Sequence, residues 1–234
     1  MATQTGARKI ITKKQDDTLI DIKEVSSQTE HFFEQYQKPL IYGALALLLL
    51  VGGYFAYKFL YKDPKQKEAI AAMYKAEQMM ERDSFAQALN GGGVNGFLDI
   101  IKKYGSLPAG NLSKYYAGVC YMNLGKFDDA ISQLESFSAS GDITPSMKYG
   151  MLGDAYSEKK DFGKALKNYK SAASEGSVDD IKAMYLKRFG MLSEIQNDPA
   201  SALDAYKTIK EKYSTTSDGR DIDKYIARAE AKKK

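Results

Sequence analysis

Apolar residues along the chain fall into two distinct regimes. Residues 40–57, LIYGALALLLLVGGYFAY, run for eighteen positions without a charge. At about 1.5 Å per helical residue such a run covers a bilayer core of roughly 30 Å. Leu47, Leu48, Leu49 and Leu50 leave no polar face, which a helix buried in a soluble domain does not need. Tyr42 near one end, and Tyr54, Tyr57 and Tyr61 near the other, have the placement of interfacial aromatic belts. Lys58 can lie along the interface with its ammonium in water, which extends the span to Tyr61. A single transmembrane helix is therefore expected over residues 39–61, with Pro39 in its first turn, where a missing N–H costs little.

Ahead of the span, residues 1–17 are polar and mixed in charge and read as disordered. In residues 18–38, Val25, Phe32 and Tyr36 return at roughly helical spacing, with Glu24, Glu30 and Glu34 between them, as in a short helix leading into the membrane. The apolar run starts too late for an ordinary cleaved signal peptide, and no small-residue cleavage site follows it. An uncleaved signal anchor is the expectation, with residues 1–38 as its tail.

After Asp63-Pro64 the pattern changes to helical periods separated by short turns, and one spacing repeats. A glycine is followed three residues on by an aromatic, twelve on by an alanine and sixteen on by a large residue. Gly118, Tyr121, Ala130 and Leu134 fit it, as do Gly153, Tyr156, Ala165 and Tyr169. Gly190, Ser193, Ala202 and Tyr206 form a degenerate copy. Each copy reads as two antiparallel helices, with the glycine and alanine letting the helices approach and the large residues filling the space beside them. One such pair cannot bury its faces alone, so successive pairs must stack. Gly125 after Leu124 is a helix stop, and Asp198 before Pro199 is a cap. Thr144-Pro145 opens another helix, and Ser177 with Asp180 has the spacing of a capping box.

These boundaries give an irregular first repeat over residues 65–105, repeats over 111–140, 145–175 and 178–213, and a capping helix over 219–232. The first repeat is irregular because ALNGGGVNG, joining its two helices, is long and glycine-rich. Ile222, Tyr225, Ile226 and Ala229 share one face of the capping helix, and Lys232, Lys233 and Lys234 suit its C-terminal dipole.

Composition adds limits. The chain has 234 residues and a net charge of +4, with lysines interspersed among acids, so nothing points to nucleic acid. Cys120 is the one cysteine and excludes an internal disulfide framework; its apolar neighbours suit a small buried residue. His31 is the one histidine and reads as a surface residue. Asn90-Gly91-Gly92-Gly93 lacks the lysine and the strand of a phosphate loop and reads as a turn. Asp128-Asp129 and Asp179-Asp180 fall in first turns, where the helix dipole favours carboxylates. The expectation is a non-enzyme without metal or cofactor.

The segments LGDAYSEKKDFGKALKNYKSA (152–172) and YAGVCYMNLGKFDDAISQL (116–134) resemble the tetratricopeptide repeat (TPR) family. The third copy departs from that pattern at Ser193. The resemblance implies an all-α protein in which one transmembrane helix precedes a TPR-type right-handed α-solenoid over residues 62–234. Such a solenoid binds through the concave face lined by the first helix of each pair. The helix face beside the glycine and aromatic positions carries Leu112, Tyr115, Val119 and Met122, then Met147, Gly150, Asp154 and Ser157, then Met184, Lys187, Met191 and Glu194. Its methionines would make an adaptable groove for varied peptide segments, unless neighbouring helices cover them. It has no repeated Lys/Asn set to hold a C-terminal carboxylate, which disfavours the chaperone-tail-binding type of TPR.

A signal anchor followed by a TPR domain of this length resembles the YfgM-like ancillary subunits of the SecYEG translocon. The runs DSFAQALNGGGVNGFLDIIKKYG (83–105) and AGNLSKYYAGVCYMNLGKFDDAI (109–131) resemble the Bacteroidota version. This implies a single-pass protein of the inner membrane with a cytoplasmic N-terminus and periplasmic repeats. By the same resemblance its partners are the translocon, a PpiD-like membrane-anchored chaperone and newly exported polypeptides. Charge near the span points the other way. Lys58, Lys62, Lys65 and Lys67 lie just after it, whereas only Lys23 and Lys38 lie close before it. Long domains translocate largely regardless of charge, so the expected orientation follows the resemblance. A cytoplasm-facing scaffold or receptor and an envelope-biogenesis component remain the alternatives.

Overall fold

Helix follows helix through the whole of the described chain. The computed structural model describes the backbone of residues 22–233 and the side chains of residues 35–233. The expectations for residues 1–21, for the side chains of residues 22–34 (His31 among them) and for Lys234 lie outside these. Contacts divide the chain into two units, 1–58 and 59–234.

In the first unit, α1 (Ile22–Tyr57) begins well before the expected span, so Pro39 sits inside the helix and not in its first turn. A proline ring removes one backbone donor, here for the carbonyl four residues earlier. Every residue from 35 to 57 is exposed, with Leu47, Leu48, Leu49 and Leu50 each 63–73% accessible. A contiguous apolar surface of this size marks a face made to be covered.

A π-helical turn, Lys58–Lys62, separates α1 from α2 (Asp63–Glu81). The second unit continues with α3 (Phe85–Asn90), α4 (Phe97–Tyr104), α5 (Pro108–Asn123) and α6 (Phe127–Ser136). Then come α7 (Thr144–Glu158), α8 (Phe162–Ser174), α9 (Asp179–Ile195) and α10 (Pro199–Lys212). The short α11 (Ser217–Arg220) and α12 (Asp223–Lys233) close the series. From α3 to α10 the helices pack mainly against their sequence neighbours, in the pairs α5/α6, α7/α8 and α9/α10, while α12 packs against α10.

The three glycines explain the pairing. A Cβ on Gly118 would lie 2.7 Å from the Leu134 side chain, one on Gly153 2.6 Å from Tyr169, and one on Gly190 2.4 Å from Tyr206. Real Cβ atoms do not approach that closely, so only glycine seats the large residue sixteen positions on. Ala130, Ala165 and Ala202 are fully buried on the opposing helices. Seven residues after each glycine the first helix of the pair stops at a residue with positive φ, Gly125, Lys160 or Asn197. The Asp161 and Asp198 side chains then accept bonds from the N–H of Lys164 and Ser201, starting α8 and α10.

The same frame reaches further upstream than the glycine motif. Asp83 has φ +55, and seven residues before it Ala76 is fully buried at the glycine position. Ala88, twelve after Ala76, is also fully buried. The first pair thus starts as a regular unit, and its second helix breaks after Asn90, before the sixteenth position. Gly91 and Gly93 have φ of +83 and +87, and a Cβ on Gly96 would lie 2.3 Å from the Leu89 carbonyl oxygen. The chain folds back tightly there and resumes as α4. The expected long join therefore contains a helix of its own, α3.

Two boundaries and one cap need correction. α5 starts at Pro108, not near residue 111, because the proline provides a first-turn residue. The capping segment is split between α11 and α12. The capping box at Ser177 and Asp180 does not form, because both side chains serve neighbouring units. The Ser177 hydroxyl donates to Asp142 at 2.9 Å, and Asp180 accepts the Ser217 N–H at 3.3 Å.

Adding one methyl group separates a glycine that seats a neighbour from one that does not. Gly153→Ala is expected to lose about 1–3 kcal/mol by overpacking against Tyr169. Gly163→Ala, where a Cβ meets nothing within 4 Å, is expected to gain about 0.4–1 kcal/mol. Thermal denaturation of the two variants measures both.

Candidate partner-binding face

The residues expected to line a groove lie on α5, α7 and α9, and the structure treats them unequally. Tyr115 and Met122 pack against the cluster of Ile131, Leu134, Leu152 and Ala155. Met184 packs against the cluster around Ala165 and Tyr169. Gly150 is buried beneath Tyr185, whose ring a Cβ would meet at 1.9 Å. Leu112, Val119, Met147 and Ser157 are half-buried, and Met191 is 40% exposed. The apolar side chains of this face that still reach solvent are therefore Met191 and, in part, Leu112, Tyr115, Val119, Met122, Met147 and Met184. Of the repeat-motif aromatics, Tyr121 and Tyr156 are partly buried, and the Tyr156 hydroxyl donates to Glu135 at 3.2 Å.

The charged positions of this face are held by ion pairs between neighbouring helices. Asp154 accepts the Tyr169 hydroxyl at 2.7 Å and Arg188 Nη1 on both carboxylate oxygens at 2.5 Å. Glu194 accepts the Tyr206 hydroxyl at 2.8 Å, Arg228 at 2.7 and 2.9 Å, and Lys232 at 3.0 Å. Lys187 is paired with Asp218. In both carboxylate clusters the arginine stands 34 residues after the acid, about one repeat, so each cluster ties one unit to the next. Arg228 also lies 4.9 Å from the centre of the Tyr225 ring.

Tyr169 and Tyr206 read from the sequence as space-filling residues, yet each has a second task. The ring lies on the glycine, while the hydroxyl ends on the acid of the preceding helix. Where the sixteenth residue is Leu134, the corresponding α5 positions are Val119 and Met122, and no polar cluster forms. The sequence pattern did not single out Arg188 or Arg228, although the 34-residue spacing from acid to base was visible, and Lys232, expected to serve the helix dipole, binds Glu194 instead. The face is thus zoned, apolar at α5 and the start of α7, while from Asp154 onward ion pairs stand among Met184 and Met191. Burial first, then the nearby Tyr185, Tyr116 and Asp154, push the Tyr115 hydroxyl up to about 12, so it stays a neutral donor.

Burial pushes the Glu194 carboxyl up, but bonds from Arg228, Lys232 and Tyr206 outweigh it and hold the group at about 2. Its side chain is 3% exposed. Because this pKa lies below the ordinary 4.5, the ionised form favours the folded chain. That contribution is complete above about pH 4.5 and is lost as the pH falls toward about 2. The shift corresponds to roughly 3 kcal/mol. Glu194→Gln is expected to remove this part of the acid dependence, measured by near-ultraviolet circular dichroism of the tyrosines.

Comparison with known proteins agrees with this geometry. Residues 113–140 match the tetratricopeptide repeat family model. No curated protein matches the chain. The crystal structure of MamA protein is similar to it with a TM-score of 0.51 at 19% identity, over 70% of this chain and 91% of that one. The nearly identical TPR-like repeats of a protein described as a kinesin light chain from Podosopora anserina give 0.57 at 11% identity, over 72% and 88%. A second crystal structure of those repeats gives 0.56 at 12% identity, over 72% and 87%. The second unit is a TPR-type helical array, a fold whose repeats serve protein–protein interaction.

Proposed function

We propose that this chain is a non-catalytic, membrane-anchored adaptor whose repeats hold a protein partner. The observation that carries the reading is the pairing of an exposed, uncharged helix with a stack of TPR-type units. Residues 40–57 of α1 have the length and composition to cross a bilayer, and no polar face is present to keep that stretch in water. Leu112, Val119, Met147 and Met191 offer the partner apolar anchors, bordered by the Asp154–Arg188 pair. By its resemblance to YfgM-like proteins, the adaptor stands at the SecYEG translocon of the bacterial inner membrane. Its N-terminus is then cytoplasmic, its repeats are periplasmic, and its partner is a PpiD-like chaperone or a newly exported polypeptide.

A second reading has specific support. Lys58, Lys62, Lys65 and Lys67 follow the span directly, which favours repeats in the cytoplasm and a scaffold or receptor role there. A reporter active only outside the cytoplasm, fused after Lys234, separates the two. Activity is expected, and its absence transfers the reading to the cytoplasmic scaffold. In mild detergent, purification of the full chain is expected to recover translocon subunits or a PpiD-like chaperone. Val119→Asp with Met147→Lys is expected to reduce that recovery about tenfold while helix content is unchanged, the loss typical of removing a central anchor.

A further inference from the structure

The first helix of the array shows to solvent a face that every later first helix hides. With Ala76 at the glycine position, Gln78 stands two residues after it, where Cys120, Ala155 and Leu192 are buried in α5, α7 and α9. Tyr74 stands two before it, and the residues at that place all meet the preceding unit. Tyr116 stacks on Phe97 of α4 with ring centres 5.4 Å apart, Met151 packs on the cluster of Ile131 and Leu134, and Arg188 binds Asp154 of α7. Ala71 stands five before it, where Ser113 and Tyr185 are buried and Lys148 donates to the Glu135 and Phe137 carbonyls. In α2, Ala71, Tyr74 and Gln78 are all exposed, Tyr74 to 60% and the adjoining Ile70 to 48%.

A groove of about 360 Å³ adjoins this face, between Ala71, Ala72 and Lys75 of α2 and the turn at residues 93–95. The turn that interrupts the first pair therefore leaves an opening beside α2. Charge along the face is unbalanced. Glu68 is held by Lys103 at 2.8 Å, whereas the exposed Lys67 and Lys75 have no ion-pair partner among the described residues. Glu81 and Arg82 at its far end carry one charge of each sign. The side-chain amides of Gln78 and Asn95 likewise make no hydrogen bond among the described residues.

We propose that this face and its groove receive an amphipathic helix of a partner protein, small or aliphatic on its contact side and with carboxylates toward Lys67 and Lys75. The proposal rests on the membrane-spanning reading of α1, by which the residues before the span stand across the bilayer and do not fold onto α2. The later units show what fits such a face. α4, α6 and α8 lie on the equivalent faces of α5, α7 and α9. Of these, α6 is acidic, with Asp128, Asp129 and Glu135 and no base. A helix with polar flanks suits the face better than acyl chains do, because the amides of Gln78 and Asn95 lie beside its apolar side chains and need partners when covered.

The probe is a labelled synthetic peptide with the α6 sequence, Phe127–Ser136, added to the full chain in lipid nanodiscs. A second peptide with the α8 sequence, Phe162–Ser174, carries three lysines and no acid. Saturable binding of the acidic peptide is expected, with the basic one at least about tenfold weaker. Tyr74→Ala is expected to weaken the acidic peptide at least about tenfold, and Lys75→Glu to weaken it and strengthen the basic one. Both sites are exposed, and an unchanged thermal melt separates loss of the face from loss of fold. No binding of the acidic peptide, or binding indifferent to both substitutions, overturns the proposal. Dimerisation of the chain that Tyr74→Ala abolishes also overturns it, in favour of a second copy as the occupant. The chain has no tryptophan, so Tyr74→Trp and Leu49→Trp each place a single reporter. With brominated lipids in the nanodisc, quenching of Leu49→Trp alone is expected. Quenching of Tyr74→Trp as well overturns the proposal in favour of the lipid surface. An unquenched Leu49→Trp overturns the membrane reading and the proposal with it, whereas failure of the peptide beside a quenched Leu49→Trp falls on the proposal alone.

Discussion

The array depends on one recurring contact, a large side chain laid on a backbone that has no Cβ. Gly118 with Leu134, Gly153 with Tyr169 and Gly190 with Tyr206 repeat it at a constant interval. The contact sets how near two helices of a pair can come, and so fixes which faces remain for the next pair. Buried alanines on the second helices keep that distance small on both sides. The first pair lacks the contact and departs from the pattern. With Ala76 at the glycine position and glycines where a large residue belongs, its second helix breaks and α4 covers the gap.

Successive pairs are held by a different kind of contact. Asp154 and Glu194 are each bound by a tyrosine of their own pair and an arginine of the next. A carboxylate as buried as Glu194 is costly to strip of its partners, so the pairs are locked in register as well as stacked. That lock takes up the polar positions of the face where a partner would bind. What stays available is the apolar stretch from Leu112 to Met147, with Met191 beyond the Asp154–Arg188 pair.

The two units pose opposite physical problems. In the repeats apolar side chains find each other, and tyrosine hydroxyls find acids. In α1 every side chain from 35 to 57 is exposed and most are apolar. An adaptor needs both, a surface that another phase or protein must cover and a rigid frame that presents selected residues.

Much of this was legible in the residues themselves. The uncharged run, the three glycine-to-alanine intervals, the stop at Gly125 and the cap at Asp198 are local signals. Each concerns spacing along one helix or one turn, and the structure places them where the spacing does. The fate of individual face residues was not legible, because burial of Gly150 and partial covering of Met184 depend on residues of other helices. Ser177 and Asp180 show the same limit, since their spacing suits a cap while the fold gives both side chains to other units. The sequence alone determined the apolar run and the three regular helix pairs from α5 to α10, but not α3, the start of α1 or the split between α11 and α12. Only the tertiary structure decided that Asp154 and Glu194 bind arginines and that Gly150 lies beneath Tyr185, because both depend on how one pair is set against the next.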